Sequence, residues 1–191
     1  MLKKVLSGLL LFVISNLTFA HEIESKPTSV AIYIQAQDYN HPIRLHHYSL
    51  GYWFSQGSML EDAAVQVLGQ EFKDVAMCDE NPASSKVLIW LRPRMFYNPQ
   101  TQIFHGKIIA YVYTPDGKPI GNFVGKAEAR GFLDIKPELN LQKVYRAAMQ
   151  DVSSRMQQDA KFQEVMKAAG GLSPCKTTGM LPEPKIQFMG F

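Results

Sequence analysis

Cysteine is scarce in this chain of 191 residues: Cys78 and Cys175 are the only two, and they lie far apart. That spacing excludes a Cys-x-x-Cys redox pair and a cysteine-rich zinc site. Excess charge of one sign is missing too, with Lys+Arg at 20 against Asp+Glu at 17 for a formal +3. Lys3 and Lys4 fall in the amino-terminal leader, so the remainder carries about +1, too balanced for a nucleic-acid binder. After residue 20 no apolar run is long enough to cross roughly 30 Å of hydrocarbon. Neither a G-x-S-x-G elbow nor a cysteine-protease context occurs, and Gly117, Gly121 and Gly125 belong to a hairpin rather than to a phosphate-binding strand-to-helix turn. No internal repeat or low-complexity tract is present. These absences leave no catalytic signature, and the expectation is a non-enzymatic protein without a cofactor.

What is present begins with an address. Lys3 and Lys4 supply a positive start, Val5 to Ile14 an apolar core, and Thr18-Phe19-Ala20 a small-x-small cleavage site, the pattern of a secretory signal peptide over residues 1–20. The apolar core is too short for a membrane anchor and is followed by Ser15, Asn16 and Thr18. A lipoprotein would need cysteine at position 21, where this chain has His21. The reading is therefore a periplasmic protein, with secretion as the alternative, without a lipid anchor or a span after cleavage. Residues 21–27 read as a flexible mature amino terminus, 28–170 as one α+β domain, and 171–191 as a Gly/Pro-containing tail. In an oxidising compartment two cysteines are best explained as partners, so a Cys78–Cys175 disulfide is expected to staple that tail.

Periodicity supplies the elements. Ser29 to Tyr39 alternates, with Val30, Ile32, Ile34 and Ala36 on one face, and reads as a strand. His41-Pro42 opens a loop through His46, His47, Tyr48 and the aromatic run Tyr52-Trp53-Phe54. Ser58-x-x-Glu61 has the form of a capping box, and the stripe Leu60, Ala63, Ala64, Val67, Leu68 carries a helix to about Phe72. A short strand at Asp74 to Cys78 follows. Lys86 to Tyr97 is a strand in which Pro93 demands an edge or a bulge. Ile103 to Thr114 places Phe104, Ile108, Ala110 and Val112 opposite His105, Lys107, Ile109, Tyr111 and Tyr113. Asp116-Gly117 is the hairpin signal that returns the chain as Pro119 to Ala129, with Gly121 and Gly125 marking bulges or close backbone approach. Pro137 stands near the start of a helix striped by Leu141, Val144, Tyr145, Ala148, Val152 and Met156. A second helical segment carries Phe162, Val165 and Met166, and Gly170-Gly171 ends it.

The order strand, helix, short strand, three-stranded meander, long helix predicts an α+β layer: a mostly antiparallel sheet of four to five strands with helices on one face. Three stretches carry a resemblance: Gly57 to Ala64 leading through Phe72 to Val75, the hairpin Thr114 to Ile120, and the helix from Ala147 to Asp159. With them the chain resembles small periplasmic α+β modules of envelope machines, namely ABC-transport auxiliary lipoproteins, penicillin-binding-protein activator lipoproteins and the amino-terminal domain of the translocation protein TolB. The resemblance implies a partner-binding role, without the anchoring cysteine of the lipoprotein members.

Several residue groups invite chemistry. An amino-terminal His21 could chelate copper through its amine and imidazole, with a second histidine such as His46 or His47 completing the set. Adjacent histidines on a strand point to opposite faces, so His46 and His47 could share an ion only from an irregular loop. Lys86, Arg92 and Arg94 lie close together and read as a solvated edge or as a polyanion site. The surplus of aromatics is the stronger signal. Tyr48, Tyr52, Trp53 and Phe54 in one loop, Tyr111 and Tyr113 on one strand face, and Phe188 and Phe191 at the carboxy terminus are either core or a surface for a partner or apolar ligand. The leading expectation is an accessory protein that binds a component of an envelope assembly, transport or appendage system. The alternatives are a carrier with the aromatic loop as the mouth of its pocket, and a copper protein using His21.

Overall fold

The computed structural model describes residues 28–80, 84–168 and 173–181. The leader, His21, the pair Gly170-Gly171, Phe188 and Phe191 lie outside the described residues.

Five strands form the central sheet: β1 (Thr28–Ile34), β4 (Val75–Met77), β5 (Ser85–Asn98), β6 (Ile103–Tyr113) and β7 (Pro119–Arg130). Their spatial order is β4-β1-β5-β6-β7. β1 pairs in parallel with both β4 and β5, whereas β5, β6 and β7 form an antiparallel meander. The sheet is thus mixed rather than mostly antiparallel. A helix between strands returns the chain pointing the same way, so the segment before β4 imposes parallel pairing while the tight turns after β5 impose the opposite.

The α+β class holds, and so does the placement of the helices. α2 (Gly57–Glu71), α3 (Pro137–Gln158) and α4 (Ala160–Lys167) contribute Leu60, Leu68, Leu141, Tyr145, Val152, Met156 and Phe162 to one core with Val30, Ile32, Ile89, Leu91, Phe104 and Ile108 of the sheet. Burying each of these large apolar side chains contributes about 1.5–3 kcal/mol. The opposite face of the sheet carries a smaller apolar cluster, Ala31, Leu88, Trp90, Tyr111 and Tyr113, packed against Tyr33, Cys78, Cys175 and Leu181. Cys78 and Cys175 are bridged, with an S–S distance of 2.08 Å and a sequence separation of 97. The bridge fixes a short 3-10 segment, Pro174–Met180, over this face of the sheet.

Two glycines show why α3 can lie so close. A Cβ on Gly125 would sit 2.0 Å from the carbonyl oxygen of Ala148, and one on Gly106 would sit 2.2 Å from Val144 Cγ1. Pro93 also finds its place. β1 pairs with β5 only as far as Leu91, so the missing amide falls just where β5 loses its parallel neighbour.

Three local expectations are corrected. The first strand stops at Ile34, and Ala36–Asn40 turn into a one-turn helix, α1, whose Tyr39 packs on the start of α2 where a Gly57 Cβ would meet its carbonyl at 2.4 Å. Ser58 and Glu61 form no capping box: the helix is entered from Gln56 without a side-chain cap, and Glu61 instead accepts a 2.7 Å hydrogen bond from the Tyr39 hydroxyl. Gln56 is buried because its Oε1 accepts from the Tyr145 hydroxyl at 2.8 Å. Finally, the loop after Pro42 is a separate two-stranded hairpin, β2 (Ile43–His47) and β3 (Leu50–Phe54).

Candidate functional site

The β2–β3 hairpin turns through Tyr48-Ser49, and Tyr48 holds a left-handed backbone at φ 52°. Such a turn favours Asn or Gly, and a bulky residue there stores about 1–3 kcal/mol of strain. An isolated two-stranded hairpin is marginal in water. This one is held by its inner face, where Leu45 and Phe54 enter the main core and Ile43 and Tyr52 pack against it. His47 lies edge-on to Tyr97, 6.2 Å between ring centres, and stacks obliquely on Tyr48.

The outer face has a different composition. In register, Arg44 opposes Trp53 and His46 opposes Gly51. The Arg44 guanidinium lies 5.5 Å from the Trp53 ring centre and crosses over Gly51, where a Cβ would collide with Nε at 2.3 Å. Trp53 is 62% exposed, and at the tip Tyr48 and Leu50 are 73% and 60% exposed. Tyr97 ties this tip to a second apolar stretch: its hydroxyl donates to the Gly131 carbonyl at 3.2 Å, at the start of a loop whose Phe132 and Ile135 are exposed. Burial raises the Tyr97 pKa above its ordinary value. Exposed apolar side chains are thus concentrated on this hairpin and the loop beside it.

The aromatic set identified in the sequence is therefore divided. Tyr48 and Trp53 are exposed and Tyr52 is half-buried, whereas Phe54, Tyr111 and Tyr113 are buried. Phe54 anchors the hairpin, and the two strand tyrosines lie under the disulfide-held segment. Leu50, Arg44 and Phe132 are the residues that sequence reasoning passed over. Arg44 could have been found only with the hairpin register in hand, since eight residues separate it from Trp53.

His46 and His47 occupy successive positions of a regular strand and so face opposite sides. Among the described residues no group of three or more His, Cys, Asp or Glu side chains converges as a metal would require. A cleft of about 500 Å³ opens elsewhere, between the end of β1, α1 and the disulfide, lined by Tyr33, Ile34, Tyr39, Met77, Cys78 and Cys175. The aromatic hairpin does not border it, so the expected mouth and the actual cleft are different places.

No helix among the described residues is long and apolar enough to cross a membrane. No family model matches this chain, and no curated protein matches it. A solved structure described as a "putative lipoprotein from Caulobacter crescentus" is similar at 10% identity, with a TM-score of 0.34, over 65% of this chain and 90% of its own.

Proposed function

We propose that this protein is a non-enzymatic accessory protein of the periplasm that binds another component of the cell envelope through the β2–β3 hairpin. The observation that carries the reading is the exposed apolar surface of that hairpin, with Trp53 on its outer face and Tyr48 and Leu50 at its tip, while Leu45 and Phe54 of the inner face anchor it in the core. Aromatic and arginine side chains are the types enriched at interface centres. The Arg44–Trp53 pair presents both. The Cys78–Cys175 bridge and the leader-like residues 1–20 support an extracytoplasmic setting, because such bridges persist where thiols are oxidised.

The test is capture from a periplasmic and membrane extract by the oxidised protein, alongside Trp53→Ala and Leu50→Ala variants. Specific capture that the variants lose while melting normally supports the reading. Capture unchanged in both variants contradicts it.

A second reading, a small-ligand carrier, draws on the cleft beside the disulfide rather than on the hairpin. Its apolar walls, with Tyr33 and Tyr39 among them, suit a small amphipathic molecule. Ligand-dependent stabilisation lost on altering Tyr39 and retained on altering Trp53 would favour it.

A further inference from the structure

The apolar side chains left on the surface gather at one end of the fold. Among the described residues eight large apolar side chains are exposed, and five of them, Tyr48, Leu50, Phe132, Ile135 and Leu139, belong to the hairpin tip, the loop after β7 and the first turn of α3. Tyr97 joins these segments: its ring meets His47, which stacks on Tyr48, and its hydroxyl donates to the Gly131 carbonyl. The Gly131 amide donates to the Gln102 carbonyl, and a Cβ on Gly131 would collide with the Asn140 side chain of α3 at 2.3 Å. Leu133 plugs the loop into the core, so Phe132 and Ile135 are exposed on a tethered segment.

Cations border this apolar end. From Arg130 to Arg146 stand four, Arg130, Lys136, Lys143 and Arg146, against two acids, Asp134 and Glu138, and all six are exposed. Leu139 also opens a shallow groove of about 340 Å³ along α3, whose charged lining is Lys143 and Arg146. Lys136, like Tyr48, holds a left-handed backbone, at φ 45°. Strained non-glycine residues of this kind concentrate in segments that contact ligands.

We propose that this end of the protein docks on an anionic phospholipid bilayer. Apolar and aromatic side chains enter the headgroup boundary while cations beside them meet the surface charge, the two attractions that hold a protein in the interfacial plane. The side chains project from a hairpin turn, a loop and a helix start. A protein partner would need one complementary shape across all three, whereas a lipid surface conforms to them. The cationic groove beside Leu139 sets the sign of the surface that fits. This docking goes beyond partner binding and does not rest on it, since the residues that decide it lie outside the hairpin.

The experiment sediments the full oxidised protein with vesicles of phosphatidylcholine alone or with phosphatidylglycerol added, at low and high salt. Wild type should bind the anionic vesicles about tenfold or more tightly than the neutral ones, and lose that preference in high salt. Two double variants at exposed positions separate the contributions: Ile135→Ser/Leu139→Gln removes apolar contact, and Lys143→Gln/Arg146→Gln removes charge. Each should weaken binding about tenfold or more. Trp53→Ala should bind vesicles as wild type does, and Ile135→Ser/Leu139→Gln should still capture the protein partner, so failure of either reading shows separately. Should the apolar variant misfold, the charge variant decides. No binding, equal binding to both vesicle types, or undiminished binding by either folded variant overturns the proposal. A dimer lost in the apolar variant, found in place of vesicle binding, would assign the surface to a second copy of the chain.

Discussion

Arg44 lays its guanidinium over Trp53, 5.5 Å from the ring centre, across a position where Gly51 leaves room for it. An exposed cation–π pair of this kind contributes only about 0.5–1 kcal/mol to the fold. Its consequence is positional: the guanidinium lies over the indole on the outer face to which the strand register directs Trp53.

Removing that indole should therefore separate binding from folding. Trp53→Ala is expected to change stability by no more than about 0.5–1 kcal/mol, as for an exposed site that loses only the Arg44 contact. Partner capture should fall sharply. Chemical denaturation and quantitative capture on the same preparation check both halves.

Tyr48 provides a sharper separation, because strain and exposure meet in one residue. Asn tolerates the left-handed backbone that Tyr48 adopts. Tyr48→Asn should keep or raise the melting temperature while weakening capture. A variant that lowers both would show that the ring stabilises the hairpin through His47 rather than serving the surface.

The Cys78–Cys175 bridge closes a long loop and holds the 3-10 segment over Trp90 and Tyr111. Replacing both cysteines by alanine should cost several kcal/mol, up to about 4–5 in the chain-entropy model. Thermal unfolding in the presence and absence of reductant measures it. Reduced wild type and the double variant should melt together.

Inside the fold, Tyr145 is fully buried and its hydroxyl serves Gln56, which is also buried. Tyr145→Phe leaves the Gln56 Oε1 without that donor and should cost about 1–3 kcal/mol. Gly125→Ala is expected to cost about as much or more, since the added carbon would meet the Ala148 carbonyl backbone rather than a side chain that can move. Urea denaturation of each variant gives the values.

Most of the sheet and the helices were legible because period-two and helical stripes are strong in β5, β6, α2 and α3. The face assignment of Phe104, Ile108, Ala110 and Val112 against Tyr111 and Tyr113 could be read directly from alternation. The hairpin was not legible. Its turn, Tyr48-Ser49, lacks the Asn or Gly that announces a reversal, and His41-Pro42 reads as the start of a loop. The capping box failed for another reason: Tyr39, over twenty residues earlier, takes Glu61, a tertiary contact that outcompetes a local one. The candidate site was legible only as an aromatic surplus. Which rings are surface and which core follows from register and from the disulfide-held cover, neither of which a single strand's pattern contains.

The most direct test of the central claim places a photo-crosslinking amino acid at position 53 and, as a control, at Val65, an exposed apolar position on α2. The account predicts a discrete adduct with an envelope protein from position 53 and none from position 65. No adduct from 53, or the same adducts from both positions, would contradict the assignment of the hairpin as the binding surface.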